Sequence, residues 1–71
     1  MRPPLLPSAR VEADLRARIA AGEWQHGDAL PTVKELATHY GVSGATVSKV
    51  LRTLAADGLV TVIRSWGTFR A

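Results

Sequence analysis

Residues 30–63 read LPTVKELATHYGVSGATVSKVLRTLAADGLVTVI, and this stretch restricts the possible folds more tightly than any other. Val33, Leu36, Ala37 and Tyr40 share one face at helical spacing. Val47, Val50, Leu51 and Leu54 form a second narrow stripe at about 100° per residue. Only Gly-Val-Ser, residues 41–43, separates the two patterns. Gly41 admits the positive φ that so tight a turn needs, and Val42 then points back into the core. Neither helix is long enough to be stable alone, so each must bury its stripe against the rest of the chain.

The boundaries carry their own chemistry. Pro31 and Thr32 open the first of these helices, and Thr32 and Glu35 have capping-box spacing. Ser43 is placed to cap the second, which Gly58 terminates. Upstream, Ser8 is predicted to cap a helix running to about Ala21, with Val11, Leu15 and Ile19 as its buried stripe and Gly22 as its stop. Trp24 is expected to plug the core. Gly27-Asp28 reads as a turn and Ala29-Leu30 as a very short strand. Leu59 to Ile63 is apolar and β-branched, a strand. Arg64-Ser65-Trp66-Gly67 reads as a hairpin loop, and Thr68-Phe69-Arg70 as the returning strand. Residues 1–7, with three prolines, are expected to form a flexible arm, and residues 8–71 a single domain. The expected fold is mainly α with a small β part: a winged helix-turn-helix of three helices and an antiparallel β-wing.

Composition excludes several classes. The 71 residues include no cysteine, so disulfides and thiolate metal sites are ruled out. No apolar run approaches membrane-spanning length and no signal-peptide core is present, so a cytoplasmic location is expected. His26 and His39 have no ligand-like spacing to an acid or to each other, so no metal is expected. His39, Tyr40 and Ser43 are neighbours, but at a helix turn where a capping serine belongs. The glycines form no phosphate-cradling loop. Neither an enzyme nor a cofactor is expected.

Charge is informative through its distribution. Residues 1–40 carry five cations and five carboxylates, whereas residues 41–71 carry Lys49, Arg52, Arg64 and Arg70 against Asp57 alone. The whole formal charge of +3 therefore belongs to the second half. The outward arc of the third helix holds Ala45, Ser48, Lys49 and Arg52, with Thr46 on its flank. A solvated helix face usually carries glutamate, and this one has none. Small residues at Ser43, Gly44, Ala45 and Ser48 let a backbone approach base edges in a major groove. Lys49 and Arg52 supply cations one turn later, and Thr46 a hydroxyl at phosphate height. At the hairpin tip, Arg64 can enter a minor groove. Trp66 has two readings, one against a sugar or phosphate and one folded back on Leu59 or Trp24; partial packing is the expectation.

These residues carry a family resemblance. Arg18-Ile19, Gly22-Glu23, Gly27-Asp28, Leu30-Pro31, Glu35-Leu36-Ala37, Tyr40-Gly41-Val42-Ser43 and Thr46-Val47 are the first part of it. Leu51, Leu54, Asp57-Gly58-Leu59-Val60 and Gly67-Thr68-Phe69 complete it. Over residues 18–69 the chain resembles the DNA-binding domain of the GntR (gluconate-operon repressor) family of bacterial transcription regulators. The resemblance implies a winged helix that binds double-stranded operator DNA as a dimer. It implies that Lys34, early in the second helix beside Thr32, meets a phosphate. It further implies that Ser43, Gly44, Ala45, Thr46 and Ser48 read bases and phosphates, and that Arg64 to Gly67 enter the minor groove. The family usually has arginine at the position of Gly44 and often at that of Ser48, both strong guanine readers. Here Lys49 and Arg52 are the cations left on that face. The wing is also one residue shorter than usual, with Trp66 where a small residue is common.

The family normally continues into an effector-binding and dimerising domain, and this sequence ends after the wing. A naturally minimal regulator and an excised domain both fit. No small-molecule effector is expected in this chain, and dimerisation would use the first helix, the wing, or paired half-sites on DNA. The main expectation is a sequence-specific DNA-binding transcriptional regulator. The alternative is a protein-interaction winged helix, an accessory partner of a larger regulator, docking through Ala45, Trp66 and the neutral first helix.

Overall fold

The computed structural model describes residues 6–71. Three helices, α1 (Pro7–Ala20), α2 (Val33–Tyr40) and α3 (Gly44–Ala56), precede two strands, β1 (Val60–Ile63) and β2 (Gly67–Arg70). The expected winged helix-turn-helix is what the chain forms.

The apolar stripes became the core. Val11, Leu15 and Ile19 from α1 and Leu36 from α2 meet Val47, Val50, Leu51 and Leu54 from α3, with Leu30 and Val60 closing the cluster from the wing side. Leu15, Val47 and Leu54 are wholly inaccessible to solvent. Truncating Leu54 to alanine at such a site costs about 2–5 kcal/mol, because the surroundings relax only partly into the void. Trp24 packs half-buried against this cluster, as expected, and the Arg18 guanidinium lies 4.6 Å from the centroid of its ring.

Both caps of the helix-turn-helix are present. The Thr32 hydroxyl accepts from the Glu35 amide at 3.1 Å, and the Glu35 carboxylate accepts from the Thr32 amide at 2.9 Å. Ser43 Oγ accepts from the Thr46 amide at 3.1 Å. Gly41 is left-handed (φ 67°), which lets the Val42 amide reach back to the Ala37 carbonyl at 3.0 Å. That reversal brings α3 across α2 within three residues.

The start of α1 differs from the expectation. Pro7 occupies its first turn, and Leu6, the N-cap residue, makes no side-chain cap bond. Proline needs no amide partner and already has helical φ, so the helix begins one residue ahead of Ser8, which is inside it. The arm expected over 1–7 thus loses Pro7 to the helix, and residues 1–5 lie outside the described residues.

In the wing, β1 and β2 pair antiparallel with Val60 opposite Arg70, Thr61 opposite Phe69, Val62 opposite Thr68 and Ile63 opposite Gly67. Gly67 is therefore the first residue of β2, and the loop is Arg64–Trp66, one residue shorter than expected. The short strand expected at Ala29-Leu30 is a single bridge, Ala29 to Phe69. Three backbone bonds fasten β2 to this segment: Gly27 N to Arg70 O at 2.7 Å, Arg70 N to Asp28 O at 2.8 Å, and Leu30 N to Thr68 O at 2.9 Å.

Candidate nucleic-acid interface

Burying Val47, Val50, Leu51 and Leu54 fixes the rotation of α3 and decides what its other side presents. Ala45, Lys49 and Arg52 are exposed, and Ser48 is half-buried at the margin of the same arc. Ser43 is exposed at the N-terminus of α3. Thr46 is half-buried, with its hydroxyl 3.0 Å from Ser43 Oγ. Gly44 is half-buried at the first position of α3, and a Cβ there would make ordinary contact with Val33 Cγ1 at 3.5 Å. The fold thus accommodates a side chain at 44, and glycine there keeps the surface low.

Thr32 and Lys34 are exposed at the start of α2. The hydroxyl and amide of Thr32 are engaged by Glu35, and the Thr32 amide, followed by its hydroxyl, holds the Glu35 carboxyl below the usual carboxylate range. Lys34 forms no ion pair among the described residues. At the other end of the domain, Arg64, Trp66 and Gly67 are exposed at the wing tip. The chain reverses there through a turn in which the Trp66 amide donates to the Ile63 carbonyl at 3.0 Å and Ser65 takes φ 72°.

Partial packing of Trp66 does not occur: the side chain is 78% exposed. Leu59 and Trp24 pack at the base of the wing. The tip lies about four strand residues away, about 13 Å at 3.3 Å per residue, beyond the reach of an indole. Val62 and Ile63 are also exposed, at 51% and 41%, so the outer wing is apolar beside Arg64.

Electrostatics separate the cations into two sets. Arg16 pairs with Glu12 at 3.0 Å and with Asp57, which raises its pKa, the Asp57 bond contributing most. Arg18 donates to Glu23 from Nε at 2.8 Å and to the Tyr40 hydroxyl at 2.9 Å; the Glu23 bond is the main cause of its raised pKa. Tyr40 in turn donates to Asp14. Burial first, then the bond to Asp14, pushes the Tyr40 phenol up. Lys34, Lys49, Arg52 and Arg64 form no ion pair among the described residues. Asp57, the one carboxylate after position 40, is held by α1 at the far end of α3. The Arg16–Asp57 and Arg18–Tyr40 contacts join residues 41 and 22 positions apart, and no local sequence pattern announces them.

Among the described residues there is no cluster of three or more His, Asp or Glu that could hold a metal ion, and no helix long and apolar enough to cross a membrane. The helix-turn-helix with its free outer face and the short wing behind it match a known pattern from end to end: residues 7–69 fit the family described as bacterial regulatory proteins, gntR family. The chain belongs to the gntR family of bacterial regulatory proteins. It has the fold of that family's DNA-binding regulator domain.

Relatives of this gntR-family chain include the mannosyl-D-glycerate transport/metabolism system repressor MngR of Escherichia coli (strain K12). The two are 44% identical over 64 residues, which is 89% of this chain and 27% of MngR. The chain thus spans about a quarter of that curated relative's length. Among solved structures, the NTD of AraR in complex with mutant ORR3 superposes with a TM-score of 0.93 at 30% identity, covering 99% of this chain and 100% of that one. AraR(DBD) in complex with operator ORE1 gives 0.92 at 31% identity, covering 96% and 83%.

Proposed function

We propose that this domain is the sequence-specific DNA-binding unit of a bacterial transcriptional regulator, working in the cytoplasm on the nucleoid. α3 enters the major groove with its N-terminal end foremost, and the wing tip reaches the adjacent minor groove. Ser43, Gly44, Ala45, Thr46 and Ser48 form the low surface against base edges and the nearest phosphates, and Lys49 and Arg52 bind further along. Thr32 and Lys34 meet the backbone at the start of α2. Arg64 leads the wing, with Trp66 and Gly67 beside the sugar-phosphate chain. With no arginine at 44 or 48, base reading falls to the Ala45 methyl, the serine hydroxyls and the two longer cations.

One observation carries this reading. Among the described residues, the cations on α3, on α2 and at the wing tip are unpaired and exposed, while the nearby carboxylates are engaged elsewhere. The likeness to AraR(DBD) in complex with operator supports it. Two copies on half-sites about one helical turn apart would give an operator its symmetry, and no small-molecule effector is assigned to this chain.

Selection of bound duplexes from a random pool, followed by amide-shift titration with the winner, tests the proposal. The expected result is an enriched motif, with shifts concentrated at residues 43–53 and 64–67. No enrichment, or shifts that avoid both segments, overturns it.

A further inference from the structure

Arg10 belongs to neither group of cations described so far. It is exposed, in the second turn of α1, and makes no ion pair among the described residues. Its Nη2 donates instead to the main-chain carbonyl of Tyr40 at 3.3 Å, across 30 residues of sequence. Tyr40 is the last residue of α2, three residues before Ser43, the N-cap of α3. Asp14, one helical turn from Arg10, accepts the Tyr40 hydroxyl. A guanidinium has five donors in a rigid plane, and this one uses a single donor to fix itself at the turn.

We infer that Arg10 is a phosphate-contacting residue of the DNA interface, set at the α2–α3 turn beside the end of α3 that leads into the groove. This rests on the DNA-binding reading above. The ligand is the anionic oxygen pair of a backbone phosphate, which the remaining donors can take in a forked, bidentate pair. A phosphate contact carries no base information, so Arg10 sets affinity and register, while α3 sets sequence. The bond to the Tyr40 carbonyl places the guanidinium at the turn, and its remaining donors have no protein partner among the described residues.

A purely structural Arg10 would serve only as a donor to the last turn of α2. Arg10→Gln removes the charge and, with a side chain two bonds shorter, also gives up that carbonyl, so the salt slope, which a purely structural role would leave unchanged, separates the two roles. For the whole chain titrated with a random-sequence duplex over a salt series, the Gln variant should lower the magnitude of the log–log slope by about 0.9. It should weaken selected and random duplexes by the same factor, with the melting temperature lowered only slightly because the lost bond is exposed. A slope equal to that of the unaltered chain overturns the inference. An unaltered chain with no salt-dependent binding removes the DNA reading itself. The Arg10 Nε–Hε resonance of the unaltered chain gives a second readout that does not depend on a variant folding. It should move on addition of duplex, and a stationary signal while α3 amides shift overturns the inference alone.

Discussion

α1 and α3 lie side by side in one core, yet they treat charge in opposite ways. In α1, Arg16 and Arg18 are closed into networks with Glu12, Asp57, Glu23 and Tyr40. In α3, Lys49 and Arg52 are exposed and form no ion pair among the described residues. The same residue types hold the domain together on one helix and face outward on the next. Charge counted along a sequence is therefore not charge available to a partner. Arg16 sharpens the point: by engaging Asp57 it also ties up the one acid on the second half of the chain.

The strongest way to break this contrast is to remove the free set. Lys49→Ala with Arg52→Ala should weaken duplex binding on the order of a hundredfold and flatten the salt slope by about two, with melting left within a degree or two. Equal loss of stability and binding would show that α3 is not the partner-facing helix. The reverse experiment comes next. Arg18→Ala removes the Glu23 and Tyr40 bonds and the contact over Trp24, and should cost about 1–2 kcal/mol in chemical denaturation. Its salt slope should match that of the parent; a flatter one would mean that Arg18 also meets the duplex.

Acid titration probes the closed set more gently. Glu23, through its bond to Arg18, and Glu35, through the Thr32 amide, have folded pKa values below their usual 4.5. A depressed carboxylate stabilises the fold above its unfolded pKa, and that contribution is lost as pH falls through the folded value. The melting temperature should accordingly be flat between about pH 6 and 9 and decline below about 4.5, less steeply in Glu35→Gln. A decline that begins above pH 6 would point to a different group. The smallest effect is expected at the wing tip, where Ser65 holds a left-handed φ that favours glycine. Ser65→Gly should change stability by about 0.5 kcal/mol or less, relief of strain being offset by entropy. A larger loss would mean that the Ser65 side chain has a structural partner.

The parts legible in the sequence were those with local causes. The stripe Val47, Val50, Leu51 and Leu54, the Thr32–Glu35 box, the Ser43 cap and the Gly41 turn each follow from residues within one or two turns of each other, and all are present. The exposed arc of α3 followed from the stripe by subtraction. What escaped was tertiary or depended on distance. Trp66 seemed fit for packing because indole is apolar, but the length of β1 carries it away from anything to pack on. Ser8 is a capping residue type, yet the helix starts at Pro7, two residues earlier than a Ser8 cap would place it. The pairing of Arg16 with Asp57 and the seat of Arg10 on Tyr40 connect residues far apart in the chain, so reading neighbours could not reveal them.

The bonds that fasten β2 to Gly27, Asp28 and Leu30 bear on how a duplex would be held. They anchor the base of the wing to the segment leading directly into α2, so the hairpin cannot swing as a loose flap. If α3 and the hairpin tip both meet DNA as proposed, the span between them would be a fixed gauge. A duplex held at both ends would then have to bring its grooves to that width, and sequences that deform easily would be admitted ahead of stiff ones.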